Sequence, residues 1–277
     1  MTSGAEEASA RHCTSGAPPP ARRSLDADRS MRGASLIAGI GILLIVPLAV
    51  FGNFVVLEGL VTQGDAERTA RDITASEGVF RLGIVSLFVV IALDVVVACA
   101  MFRVFSPVSR GISMLAACFR IVFAGVFMVA AGELVGVLRL LGHDDHLGVF
   151  DADQLHSQAL LRINTFTDIW DAGLVFFGLH LLIIGYLAYM SGFVPRILGV
   201  LLVIAGLGYL SDSLGGVLFQ GYTTNVAVFT FLGELLLAVW LLLRARHIGV
   251  ATSGTSAESA ASNTPATASP TADTLVT

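Results

Sequence analysis

Apolar residues in this chain gather into runs of about 20 that are nearly free of charge, the length an α-helix needs to cross a hydrocarbon core about 30 Å thick. Six such runs lie at about 34–56, 80–102, 111–138, 167–190, 195–217 and 226–244. They predict an all-α polytopic membrane bundle of six transmembrane helices, because backbone polar groups in lipid must be satisfied within the segment. Pro47 falls inside the first run and predicts a kink or break, since proline removes one backbone donor and crowds the preceding turn. That run is longer than the apolar region of a signal peptide and lacks a small-x-small cleavage site at a sensible distance, so an uncleaved helix is expected.

The flanks read differently. Residues 1–30 are rich in Ala, Ser, Pro and Arg, with Pro18-Pro19-Pro20 and no apolar period, and residues 249–277 are rich in Ala, Ser, Thr and Pro. Both are expected to be disordered tails around a transmembrane domain of residues 31–248. Met31 stands just before the first span and is an alternative start that N-terminal sequencing would settle.

Arginine placement orients the bundle. An inside N-terminus puts Arg11, Arg22, Arg23, Arg29, Arg32, Arg103, Arg110, Arg196, Arg244 and Arg246 in the cytoplasm. Arg68, Arg71, Arg81, Arg139 and Arg162 then face outward, and Arg120 lies within a span. A start at Met31 narrows the bias to six against five, but the inside loops are shorter and denser in charge. The expected topology is therefore N-in/C-in, with two long outward loops. The first, Gly64 to Val79, has Asp65 as an N-cap before Ala66-Glu67-Arg68-Thr69-Ala70-Arg71. The second, Gly142 to Thr165, has Asp151 followed three residues later by Gln154, near a capping box. A short helix is expected in each. Leu155, Leu160 and Ile163 give the second an apolar side suited to lying along the membrane surface.

Composition agrees with a membrane protein. Only 13% of the 277 residues are charged, against about 25% in soluble domains, and 55% are hydrophobic. All 16 basic residues are arginine, a bias that genomic base composition explains without any mechanism. A net charge of −5 with no basic stripe argues against a nucleic-acid partner. Cys13 lies in a tail, and Cys99 and Cys118 fall in apolar spans where packing is the default reading.

Four ionisable residues lie deep in the spans. Asp94 precedes Arg103 by nine residues, Arg120 follows Arg110 by ten, Glu234 precedes Arg244 by ten, and His180 precedes Ser191 by eleven. At about 1.5 Å per residue each sits roughly 13–17 Å from the inner boundary, near the bilayer midplane. A midplane cluster follows as a hypothesis, with Arg120 paired to Asp94 and with Glu234 and His180 nearby. Two carboxylates against one guanidinium leave a deficit of one positive charge, which a protonated His180, a protonated carboxylate or a bound cation would balance. Two readings stay open: an ion pair that fixes helix register, or a functional polar site.

Other polar residues have plainer readings. Glu133 lies in Gly132-Glu133-Leu134-Val135-Gly136, a GxxxG spacing that permits close helix approach. Asp168 and Asp171 flank Trp170 at an outer helix end, and Asp212 lies near another, as solvated termini do. His143, Asp144 and His146 with downstream His156 have metal-ligand side chains, but a solvated acidic loop is the simpler explanation. No P-loop, G-x-S-x-G, H-E-x-x-H or C-x-x-C motif is present, so no catalytic residue is assigned and no cofactor is expected.

Three segments carry a resemblance. They are Phe80-Arg81-Leu82-Gly83-Ile84-Val85, the stretch from Gly178-Leu179-His180 through Ser191-Gly192-Phe193-Val194-Pro195-Arg196-Ile197-Leu198-Gly199, and Ala205-Gly206-Leu207-Gly208-Tyr209-Leu210-Ser211-Asp212-Ser213. Over about residues 34–245 the chain resembles the bacterial membrane proteins of the domain of unknown function (DUF) 4386 family. The resemblance implies a shared membrane architecture and transfers no catalytic residue.

The expected class is a non-enzymatic integral membrane protein of a bacterial cytoplasmic membrane, with a structural, sensory or stress-related role. Its surroundings are the lipid bilayer, its small-molecule ligand is unidentified, and a homo-oligomer is compatible with the composition. A small proton- or ion-coupled transporter using the midplane cluster is the first alternative. A membrane enzyme acting on a lipophilic substrate is the second.

Overall fold

The computed structural model describes residues 20–142, 151–218 and 233–244, which are helical apart from short connections. Helix α1 (Pro20–Val50) runs on through a π-helical stretch, Phe51–Leu57, into the single turn α2 (Glu58–Leu60). Then come α3 (Ala66–Ala75), α4 (Glu77–Phe105), α5 (Arg110–Leu141), α6 (Ala152–Met190), α7 (Arg196–Leu218) and α8, residues 233–244. Among the described residues, five helices are long and apolar enough to cross a membrane: Ser30–Leu60, Glu77–Phe105, Arg110–Leu141, Ala152–Met190 and Arg196–Gly216. Of the expected sixth span, α8 is the described part.

Packing pairs fix the directions. Gly41 meets Val97, Gly52 meets Leu87 and Gly83 meets Val56, so α1 runs antiparallel to α4. Two short turns, after Phe105 and after Met190, lie at one end of the bundle, where Phe105 and Phe193 stack at 6.0 Å. Gly192, at φ 67°, takes the left-handed conformation that lets the second turn reverse tightly. Arg244, at the end of α8, joins the same end. It donates to the Phe193 carbonyl at 3.2 Å and lies over the Phe193 and Trp240 rings at 4.8 and 5.4 Å. Gly39 of α1 abuts Leu242 of α8, so the early part of α1 and the end of α8 share this turn end. Large apolar side chains such as Ile37, Val85, Val129, Ile197 and Leu207 point outward, as a lipid-facing surface requires.

The structure departs from the sequence-based expectations in several places. Pro47 does not break α1; the helix passes through it and widens into the π-helical stretch, where Asn53 Nδ2 donates to the Ala49 carbonyl at 3.1 Å. Helix α1 also reaches back to Pro20, a residue type suited to a first helical position, and so into the stretch expected to lack structure. Among its described residues, the second loop expected to face outward holds no separate short helix. Asp151 caps the chain, accepting from the Ala152 amide at 2.9 Å, but the helix it starts is α6 itself, 39 residues without interruption. No Gly or Pro lies between Ala152 and Asp171, and Thr165 and Thr167 return their hydroxyls to the Leu161 and Ile163 carbonyls. At about 58 Å this helix is longer than a 30 Å core requires. Ala159, Ile163 and Phe166 turn into the bundle rather than toward a membrane surface. Cys99 and Cys118 face outward, not into the core.

The first of the two loops expected to face outward does form a short helix. Asp65 accepts from the Arg68 amide at 2.9 Å and caps α3, whose Thr69, Ala70 and Ile73 are buried. Thr69 Oγ1 accepts from the Thr62 amide and donates to the Thr62 carbonyl, closing the arch that leads into α3.

In the α6–α7 hairpin the two backbones approach closely. Gly178 faces Gly206 and Gly185 faces Gly199, with β-carbon positions 2.7–2.9 Å from the opposing carbonyl oxygens. Any side chain there would push the backbones apart, so glycine sets the separation. The expected GxxxG approach does not occur among the described residues: a β-carbon at Gly132 would meet nothing from another helix within 4 Å, and Gly136 makes room for the Arg162 side chain.

Candidate functional site

Asp94 on α4, Arg120 on α5, His180 on α6 and Glu234 on α8 meet inside the bundle. Arg120 Nε and Nη2 lie 2.9 and 2.7 Å from the same oxygen of Asp94, Oδ1. Nη1 donates to Glu234 Oε1 at 2.6 Å and faces His180 Nε2 at 3.3 Å. One guanidinium thus bonds side chains from three other helices. The exposures are 1% for the Arg120 side chain, 4% for Asp94 and 9% for Glu234, and His180 is fully buried.

Local sequence makes the meeting possible. Asp94, Arg120 and Glu234 each have an alanine four residues on, Ala98, Ala124 and Ala238, and all three are buried. Positions i and i+4 share a helix face, so each charged residue is followed by a small one on the face it presents. The helices can then approach closely enough for one side chain to span them. Below the guanidinium lies Phe177, its ring centroid 5.3 Å from Arg120 Cζ. That ring stacks on His180 at 6.1 Å and takes Tyr209 of α7 edge-on at 5.3 Å.

The partners of His180 fix its protonation. Nδ1 lies 2.8 Å from the Ala116 carbonyl oxygen, which can only accept, so Nδ1 carries the hydrogen. Nε2 faces an arginine nitrogen, which can only donate, so Nε2 must offer its lone pair. The imidazole in this network is therefore neutral. Of the balances open to the sequence, a positively charged His180 is the one this geometry rejects.

The remaining candidates among the described residues do not join this site. Glu133 Oε2 accepts from Arg162 Nη1 at 2.8 Å, near the far end of α5, with side-chain exposures of 27% and 45%. Trp170, flanked by Asp168 and Asp171, stacks on Phe127 and Phe166 at 5.9 and 6.1 Å, inside the bundle rather than as an interfacial anchor. His143, Asp144 and His146 lie outside the described residues. His156 is half-buried near the start of α6, and among the described residues no group of three or more His, Cys, Asp or Glu could hold a metal ion. Sequence reasoning missed Phe177, the Ala116 carbonyl and the glycine pairs. The glycines did carry a signal: 178 and 185, and 199 and 206, each recur at a spacing of seven.

Comparison with known proteins adds a family. The model of the Domain of unknown function (DUF4386) matches residues 37–245, which include every helix from the lipid-crossing part of α1 to α8. The chain belongs to the DUF4386 family. A relative from the archaeon Archaeoglobus fulgidus, described as an uncharacterized protein, is 38% identical over 165 residues, which is 60% of this chain and 85% of the relative. No solved structure matches. Membership brings no activity with it, so the chemistry of this DUF4386 protein has to be argued from its own residues.

Proposed function

We propose that this DUF4386 protein is a non-enzymatic membrane protein whose buried network acts as an interhelical lock, in a structural or sensory role. The observation that carries this reading is the single guanidinium of Arg120, bonded at once to Asp94, His180 and Glu234 from three other helices. Its full enclosure suits a part that holds helices in register better than one that passes a solute. The lock sits in a bundle of six crossings with both termini in the cytoplasm, in a bacterial cytoplasmic membrane. In support, the early part of α1 and the end of α8 share one end of the bundle, as an even number of crossings requires.

A proton-coupled carrier is the second reading, and the charge imbalance of the network favours it. The two separate in sealed vesicles. Purified protein is reconstituted with a pH-sensitive dye inside, and a potential is imposed with potassium and valinomycin. The lock predicts no proton flux above empty vesicles. A flux that is present in the wild type and lost in Glu234→Gln would replace the lock with the carrier.

A further inference from the structure

The buried network has one negative charge too many. Asp94 and Glu234 are two carboxyl groups, Arg120 supplies one positive charge, and His180 is neutral by its hydrogen-bond partners. Among the described residues no further ion pair joins the network. Across its lipid-crossing part α1 has no ionisable side chain between Arg32 and Glu58, and α7 has only Tyr209, whose ring meets Phe177, between Arg196 and Asp212. A net charge held at the centre of a bilayer is costly enough that such a group neutralises instead.

We infer that the network binds one proton, and that Glu234 is its seat. The two carboxyl groups are held differently. Asp94 Oδ1 receives two guanidinium N–H groups, at 2.9 and 2.7 Å, the stronger claim on a carboxylate. Glu234 Oε1 receives one, at 2.6 Å, and its side chain is the more exposed of the two at 9% against 4%. A neutral carboxylic acid still accepts that one hydrogen bond through its carbonyl oxygen, and its own O–H is free to donate. The ionised member is therefore Asp94, paired with Arg120. The protonated one is Glu234. The bookkeeping is simple: one proton from the aqueous phase adds to one carboxylate oxygen, and no other bond changes.

This rests on reading the network as a closed lock, but it is tested by a different observable. Infrared spectra of the full-length protein in lipid vesicles at neutral pH should contain a protonated-carboxyl C=O band that Glu234→Gln removes. Asp94→Asn should remove it as well, because the freed Glu234 then ionises against Arg120. The seat is read from stability. Glutamine matches a protonated glutamate in shape and charge, so Glu234→Gln should melt within a degree or two of wild type at neutral pH. Asparagine does not match an ionised aspartate, so Asp94→Asn should melt well below it, or fail to fold. An unchanged infrared difference between wild type and Glu234→Gln overturns the bound proton. Failure of Glu234→Gln to fold, or equal tolerance of both variants, overturns its seat. Either result leaves the vesicle flux test of the lock unaffected.

Discussion

Among the described residues two arginines form ion pairs between helices, in opposite surroundings. Arg120 bonds three partners at 1% exposure, while Arg162 pairs with Glu133 at 45%. The distances to the carboxyl oxygens are nearly the same, 2.6–2.9 Å for the first and 2.8 Å for the second. What separates them is the solvent each has lost. A pair in water gains little, because both ions were already well solvated and salt screens what remains. A pair in the membrane interior cannot return to water, so removing one member strands the other. Position, not bond length, decides which arginine the fold depends on.

The largest effect should come from Arg120→Met, which leaves Asp94 without its counter-charge and Glu234 without its hydrogen-bond donor. We expect a loss of about 3–5 kcal/mol in reversible unfolding in mixed micelles, nearly independent of salt. A smaller loss, about 1–3 kcal/mol, is expected for Gly199→Ala, since the new methyl would sit 2.8 Å from a backbone oxygen that cannot swing away. Glu133→Gln should cost less than about 1 kcal/mol, and high salt should erase the difference from wild type. A loss from Glu133→Gln as large as that from Arg120→Met would break the comparison.

Much of this was legible in the sequence, for definite reasons. The depths of Asp94, Arg120, His180 and Glu234 could be counted from the arginines that mark helix ends, because rise per residue is constant. Depth says nothing of rotation about each helix axis, so neither the three-way bonding of Arg120 nor the tautomer of His180 could be read that way. The cap at Asp65 was visible, since N-caps act within three residues. The continuity of α6 was not, because Asn164, Thr165 and Asp168 look like loop residues until their surroundings are known. The same holds for glycine. The Gly132–Gly136 spacing pointed to a close approach that does not form, whereas the wider spacing in α6 and α7 marks the one that does.

The bound proton is tested most directly by the pH dependence of unfolding, measured from pH 5 to 8 for wild type and Glu234→Gln under identical conditions. A folded state that holds one proton more than the unfolded chain loses stability as pH rises, by about 1.4 kcal/mol per pH unit. Glu234→Gln has no such proton to lose. The wild-type curve should therefore fall relative to the variant with that slope wherever the folded protein keeps its proton. Parallel curves would contradict it, and would mean that the network carries its negative charge uncompensated or balances it with something other than a proton on Glu234.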